Sequence, residues 1–143
     1  MVGFFISSIL LSLYMCTTAK ASLNDTPLPY LEPKCPKVSS TVKVHEREKE
    51  EVLLALNKLV PKAYPYKEYN IWKVEEARPL SSPQTARPYY NLAKNLCGKG
   101  IAENSWFIKL HFPKISQGVS ASTGIMFIAK NSNNEWSVWY TYK

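Results

Sequence analysis

The chain has 143 residues, 45% of them hydrophobic and 20% charged, and a formal charge of +7 at pH 7. That length holds one domain, and that composition excludes collagen-like chains and charge-dominated disorder. With 3 Cys and 2 His there are too few soft ligands for a multi-ligand zinc site, and neither a metal nor a cofactor is expected.

Residues 1–19 carry no charged side chain, and Phe4 to Cys16 is an apolar run. It is shorter than the ~20 residues of a membrane-spanning helix. Ala19-Lys20-Ala21 follows, the small-x-small pattern that a signal peptidase cleaves. Residues 1–21 therefore read as a signal peptide, and the mature chain begins at Ser22. The alternative is an uncleaved anchor, and contact with a membrane is expected only through that segment. Met15 before Cys16 does not suit a lipidation site. Export removes one lysine and no acid, leaving +6 over 122 residues. It also leaves two cysteines, Cys35 and Cys97, which are expected to pair in an oxidising compartment. The competing role for Cys97 is a nucleophile with His45 or His111 as base.

Residues 22–41 hold four prolines, Pro27, Pro29, Pro33 and Pro36, and read as an extended leader before a single domain over 42–143. Val52, Leu53, Leu56, Leu59 and Val60 recur at helical spacing, which predicts a helix over 42–60 ended by Pro61. Glu46, Glu48, Glu50 and Glu51 suit the positive end of its dipole. Tyr69 to Glu75 is predicted as a strand. Tyr89 to Cys97 is a short helix, with Pro88 in its first turn and Gly98 as its cap. Three strands are then expected: Ser105 to Phe112, Gly124 to Lys130, and Trp136 to Tyr142. Asn131 to Asn134 is the turn between the last two, because Asn tolerates positive φ. In strand Trp136 to Tyr142, strict alternation puts Trp136, Val138, Tyr140 and Tyr142 on one side and Trp139 on the other.

The strands are apolar on both faces. Either helices cover one face and loops the other, or the second face lines a pocket. The expected fold is α+β: an N-terminal amphipathic helix and a short second helix on a curved antiparallel sheet of three to four strands. That is the plan of cystatin-like or NTF2-like architectures, a likeness that carries no function.

The chemical motifs are weak. Ser40-Thr41-Val42-Lys43 matches Ser-x-x-Lys, without the companion elements of penicillin-recognising enzymes. Glu75 and Glu76 are adjacent, so on a strand they point to opposite faces and make a poor glycosidase pair. No catalytic residue is assigned. The charge is uneven: residues 22–51 carry −1, residues 52–101 carry +5 and residues 102–143 carry +2. The middle segment interleaves Tyr64, Tyr66, Tyr69 and Trp72 with Lys62, Lys67 and Lys73, a mixture suited to an anionic partner. Outside a cell that partner is an anionic polymer (a wall polymer, an acidic glycan or released nucleic acid), a lipid headgroup or an extracellular protein; intracellular nucleic acid is not expected. Core tyrosines and merely solubilising lysines are the bland alternative.

Tyr90-x-x-Ala93-x-x-x-Cys97-Gly98, Ala102-x-x-Ser105-Trp106-Phe107-Ile108, Phe112-Pro113, Ile128-Ala129-Lys130 and Trp136-x-Val138-Trp139 resemble an uncharacterised family of small secreted proteins from Gram-positive bacteria. The likeness covers roughly residues 85–143. It implies secretion and a compact α+β domain, and no reaction. The sequence thus points to a secreted, non-enzymatic binding domain acting at or outside the cell envelope. A cystatin-like peptidase inhibitor using the connection 117–123, and a small secreted hydrolase using Cys97 or Ser40, are the alternatives.

Overall fold

The computed structural model describes residues 32–116, 118 and 120–142. The apolar opening run, its cleavage pattern and the first ten residues of the leader lie outside them. In chain order the described elements are α1 (Lys49–Ala63), β1 (Lys73–Pro79), α2 (Arg87–Cys97), α3 (Lys99–Glu103), β2 (Ser105–His111), β3 (Thr123–Lys130) and β4 (Trp136–Tyr142). The strands form one antiparallel sheet in the order β1-β2-β3-β4, so each strand pairs with its neighbour in sequence. The fold is α+β.

Helices cover both faces of this sheet, and the second face is neither loop-covered nor a pocket. On one side α1 lays Val52, Leu56, Leu59 and Val60 against Ala77, Trp106, Ile108, Leu110, Met126 and Ile128. On the other, Ala93 of α2 and Ile101 and Ala102 of α3 pack on Phe107, Ile125, Phe127, Ala129, Trp139 and Tyr140. Alternation along β2 makes this possible: its even-numbered residues from Trp106 to Leu110 point to α1, and Phe107 points to α2. Tyr89 stacks on Phe107 with ring centroids 4.4 Å apart. The Trp139 indole donates to Ser105 Oγ at 3.0 Å, and that hydroxyl donates to the Ile101 carbonyl at 2.6 Å. The second face is thus a packed interior with its buried polar groups paired.

Four boundaries differ from the sequence reading, each for a tertiary reason. Residues 41–44 are not helical. Thr41 bridges Asn131, the Val42 N–H donates to the Lys130 carbonyl at 2.9 Å, and Val44 is buried in the core. The helix starts only at Lys49, after a 3₁₀ turn over Glu46–Glu48. Pro61 lies inside the last turn of α1 and does not end it; the carbonyl it leaves unpartnered within the helix is that of the exposed Asn57. The first strand begins at Lys73, because Lys67–Tyr69 closes a 3₁₀ turn. In β4 the register shifts opposite Phe127 and Ile128, making Trp139 an extra residue. That bulge breaks the two-residue period, so Tyr140 joins Trp139 on the α2 side while Trp136 and Val138 face α1.

Cys35 and Cys97 form a disulfide with Cα atoms 5.3 Å apart. It ties the leader to the end of α2, where Gly98 at φ 86° closes the helix. The leader then crosses α3, with Val38 against Gly100, and Thr41 accepts from the Asn104 side chain at 2.9 Å. It finally turns round the Asn131–Asn134 hairpin to the α1 side. Among the described residues, no helix is long and apolar enough to cross a membrane.

Candidate interaction surface

Register defines the two ends of the sheet. Lys73 pairs with His111, His111 with Thr123, and Ile125 with Tyr142. The connection from α1 to β1 therefore lies at this end, beside the β2–β3 connection and the end of β4. This is the segment that the sequence singled out.

Its seven candidates divide into two groups. Tyr64 and Tyr69 are each only 4% exposed, so neither is available to a ligand. Both rings pack on Phe112, with centroids 4.9 and 4.8 Å away. The Tyr64 hydroxyl donates to the Ile125 carbonyl at 3.1 Å, and burial pushes its pKa well above the ordinary 10.0. Gly124 makes room for them: a Cβ there would lie 2.7 Å from Phe112 Cε2 and 2.8 Å from the Tyr64 oxygen. Trp72 is half-buried and packs against the same core. Spacing alone could not separate these rings from surface rings, because a loop has no period.

The other four are at the surface. Lys62, Lys67 and Lys73 are exposed, and Tyr66 is 39% exposed. Ile71, which the sequence reading left out, is 47% exposed, and Tyr142 at the end of β4 is 56% exposed. Lys114 joins from the β2–β3 connection, donating to the Asn70 side chain at 2.9 Å. Between residues 62 and 73, Glu68 is the only acid. Lys62, Lys67, Lys73 and Lys114 have no ion-pair partner among the described residues. The α1–β1 connection thus stands on a buried aromatic footing and presents ammonium groups and apolar side chains outward.

The opposite end is built otherwise. Lys130 is buried and reaches Glu51 at 2.9 Å and Glu48 at 3.3 Å. The Trp136 indole donates to Glu51 at 2.8 Å, and the Lys130 ammonium lies 5.4 Å from the centroid of that ring. The hydrogen bond from Lys130 holds the Glu51 carboxyl below its ordinary 4.5, and the same bond raises the lysine above 10.5. The glutamate run is therefore partly a clamp on the β3–β4 hairpin, rather than only a solvated face.

The alternative chemistries find no assembled site. Cys97 has its sulfur bonded to Cys35 and offers no thiolate. Ser40 donates to the Lys37 carbonyl at 2.8 Å in a 3₁₀ turn, and the chain is extended at Thr41. Lys43 is therefore not one helical turn beyond Ser40. Glu75 instead pairs with Lys109 at 2.8 Å and Glu76 with Arg78 at 3.2 Å. Among the described residues no three His, Cys, Asp or Glu side chains group as a metal site. The connection 117–123 is described only in part, without Gln117 and Val119. A cleft of 360 Å³ beside β4 is lined by Leu59, Lys62, Trp136 and Tyr140 among others. Compared with protein-family models, curated proteins and solved structures, the chain matches none.

Proposed function

We propose that the chain is a secreted, non-enzymatic binding domain that acts at or outside the cell envelope and holds an anionic partner through its lysine-rich end. The observation that carries this reading is the set of exposed lysines 62, 67, 73 and 114 on a buried aromatic footing, with Glu68 the one acid between residues 62 and 73. Such a cluster raises the local concentration of phosphate or carboxylate groups and is weakened by salt. The apolar opening run, Ala19-Lys20-Ala21 and the disulfide support export, since such bonds persist mainly in oxidising compartments. The resemblance to secreted proteins of Gram-positive bacteria supports the same location. The α+β plan also suits a cystatin-like or NTF2-like architecture.

The test is retention of the exported protein on an immobilised polyphosphate matrix. Wild type is expected to bind at low salt and to elute as salt rises. The triple variant Lys62→Gln, Lys67→Gln, Lys73→Gln is expected to elute markedly earlier. Equal elution of the two overturns the reading.

A further inference from the structure

Resting on that reading of the lysine-rich end, we infer that its partner is an anionic lipid surface, with Tyr66 and Ile71 entering the headgroup layer between the lysines. The apolar component decides the class of partner. A water-soluble polyanion neutralises lysines but gives an isoleucine nothing to bury against. A bilayer interface supplies both phosphate and hydrocarbon. Tyrosine rings favour that interface, since one end of the side chain is apolar and the other polar. Lysines suit it too: their alkyl stems lie along apolar surface while the ammonium groups stay with the phosphates.

Tyr66 and Ile71 flank the 3₁₀ turn over Lys67–Tyr69. That turn is anchored from below by Tyr69 and Tyr64 on Phe112, so the two side chains are presented outward by a fixed base. Tyr142 is exposed at the same end of the sheet, on the opposite edge strand β4. Leu54 shows the contrast: it is 72% exposed on the solvent side of α1, and a single exposed apolar residue needs no partner. Val38 and Val42 are also exposed, beside Lys37 and Lys43 on the leader, but at the lysine-rich end the exposed apolar side chains include a tyrosine and stand on a fixed aromatic base. From the sequence a lipid headgroup is only one of several anionic partners for this segment; the exposed Tyr66 and Ile71 single it out. This contact belongs to the folded domain and outlasts cleavage.

The experiment uses the exported, oxidised protein and vesicles of phosphatidylcholine with about a third phosphatidylglycerol, followed by co-sedimentation. Wild type is expected to bind these vesicles and not pure phosphatidylcholine. The double variant Tyr66→Ser, Ile71→Ser is expected to lose about tenfold in vesicle partition through lost apolar contact. Its retention on polyphosphate is expected to fall by far less than its vesicle binding. Each Lys→Gln change at 62, 67 or 73 is expected to cost about fivefold on vesicles and to weaken polyphosphate retention as well. Vesicle binding by the double variant equal to wild type overturns the lipid inference, as does retention on polyphosphate without vesicle binding; either result leaves the anionic reading standing. Failure of wild type on both supports overturns both. Near-ultraviolet circular dichroism of each variant reads its fold.

Discussion

The two ends of the sheet use charge in opposite ways. At one end Lys130 is buried between Glu48 and Glu51, and Trp136 completes the set; the charges are spent on each other and clamp α1 to the β3–β4 hairpin. At the other end Lys62, Lys67 and Lys73 face water, while the nearby tyrosines, Tyr64 and Tyr69, are withdrawn into the core. The difference separates charge that holds the fold from charge available to a partner. Substitutions of the charged residues at the first end should act on stability, and of the lysines at the second on binding.

The largest expected effect bears on neither end alone. Replacing Cys35 and Cys97 by Ala opens a loop closed over a sequence separation of 62 and should cost about 4 kcal/mol on the chain-entropy account. Denaturant titration with and without reductant checks it, and only wild type should respond to the reductant. Next is the aromatic footing. Gly124→Ala drives a methyl group into Phe112 and Tyr64 and should cost about 3 kcal/mol by overpacking, read as a lower denaturation midpoint. At the clamped end, Lys130→Met leaves Glu48 and Glu51 facing each other without a cation. It should cost about 2 kcal/mol, less than a fully buried pair because Glu51 remains partly exposed.

The clamp also sets a pH dependence. Glu51 titrates below its ordinary 4.5 when folded. Its contribution is therefore complete above that value and disappears as pH falls through the lower, folded one. Lys130 titrates above 10.5 when folded, so its contribution is complete below that value and is lost as pH rises beyond it. Stability should be level across neutral pH from this pair, and Glu51→Gln should flatten the acid limb. Thermal melts from pH 3 to 7, about the span over which carboxylates titrate, measure the slope.

Much of the fold was legible because its signals are periodic. The α1 stripe from Val52 to Val60 appears as read, α2 ends at Gly98, and β2 to β4 fall within a residue of their expected bounds. Asn134 takes φ 62° in the hairpin turn. What escaped was non-periodic. Residues 41–44 carry no sign that the hairpin at Asn131 will hold them extended. The short α3 follows Gly98 and contains Gly100, and so looks like loop. β1 is an edge strand whose Glu75, Glu76 and Arg78 resemble solvent-facing loop, and its bulge beside Glu75 hides the alternation. Within the site, Lys62, Lys67, Lys73 and Tyr66 lie at the surface, whereas Tyr64 and Tyr69 lie in the core, the alternative the sequence left open for the tyrosines. Their burial depends on Phe112 and Gly124, distant in the chain and near only after folding. Ile71 was left out because it was read only as a strand residue on the side of Lys73.

The central claim is that the lysines of the lysine-rich end contribute to binding and little to the fold. The most direct measurement takes Lys62→Gln, Lys67→Gln, Lys73→Gln and wild type, and records the melting temperature and polyphosphate retention on the same samples. The expected result is an unchanged melting temperature, since each surface change is worth less than about 0.5 kcal/mol, with retention lost at a salt concentration that still holds wild type. A lower melting temperature with retention intact would contradict the account, placing these lysines among the charges that hold the molecule together.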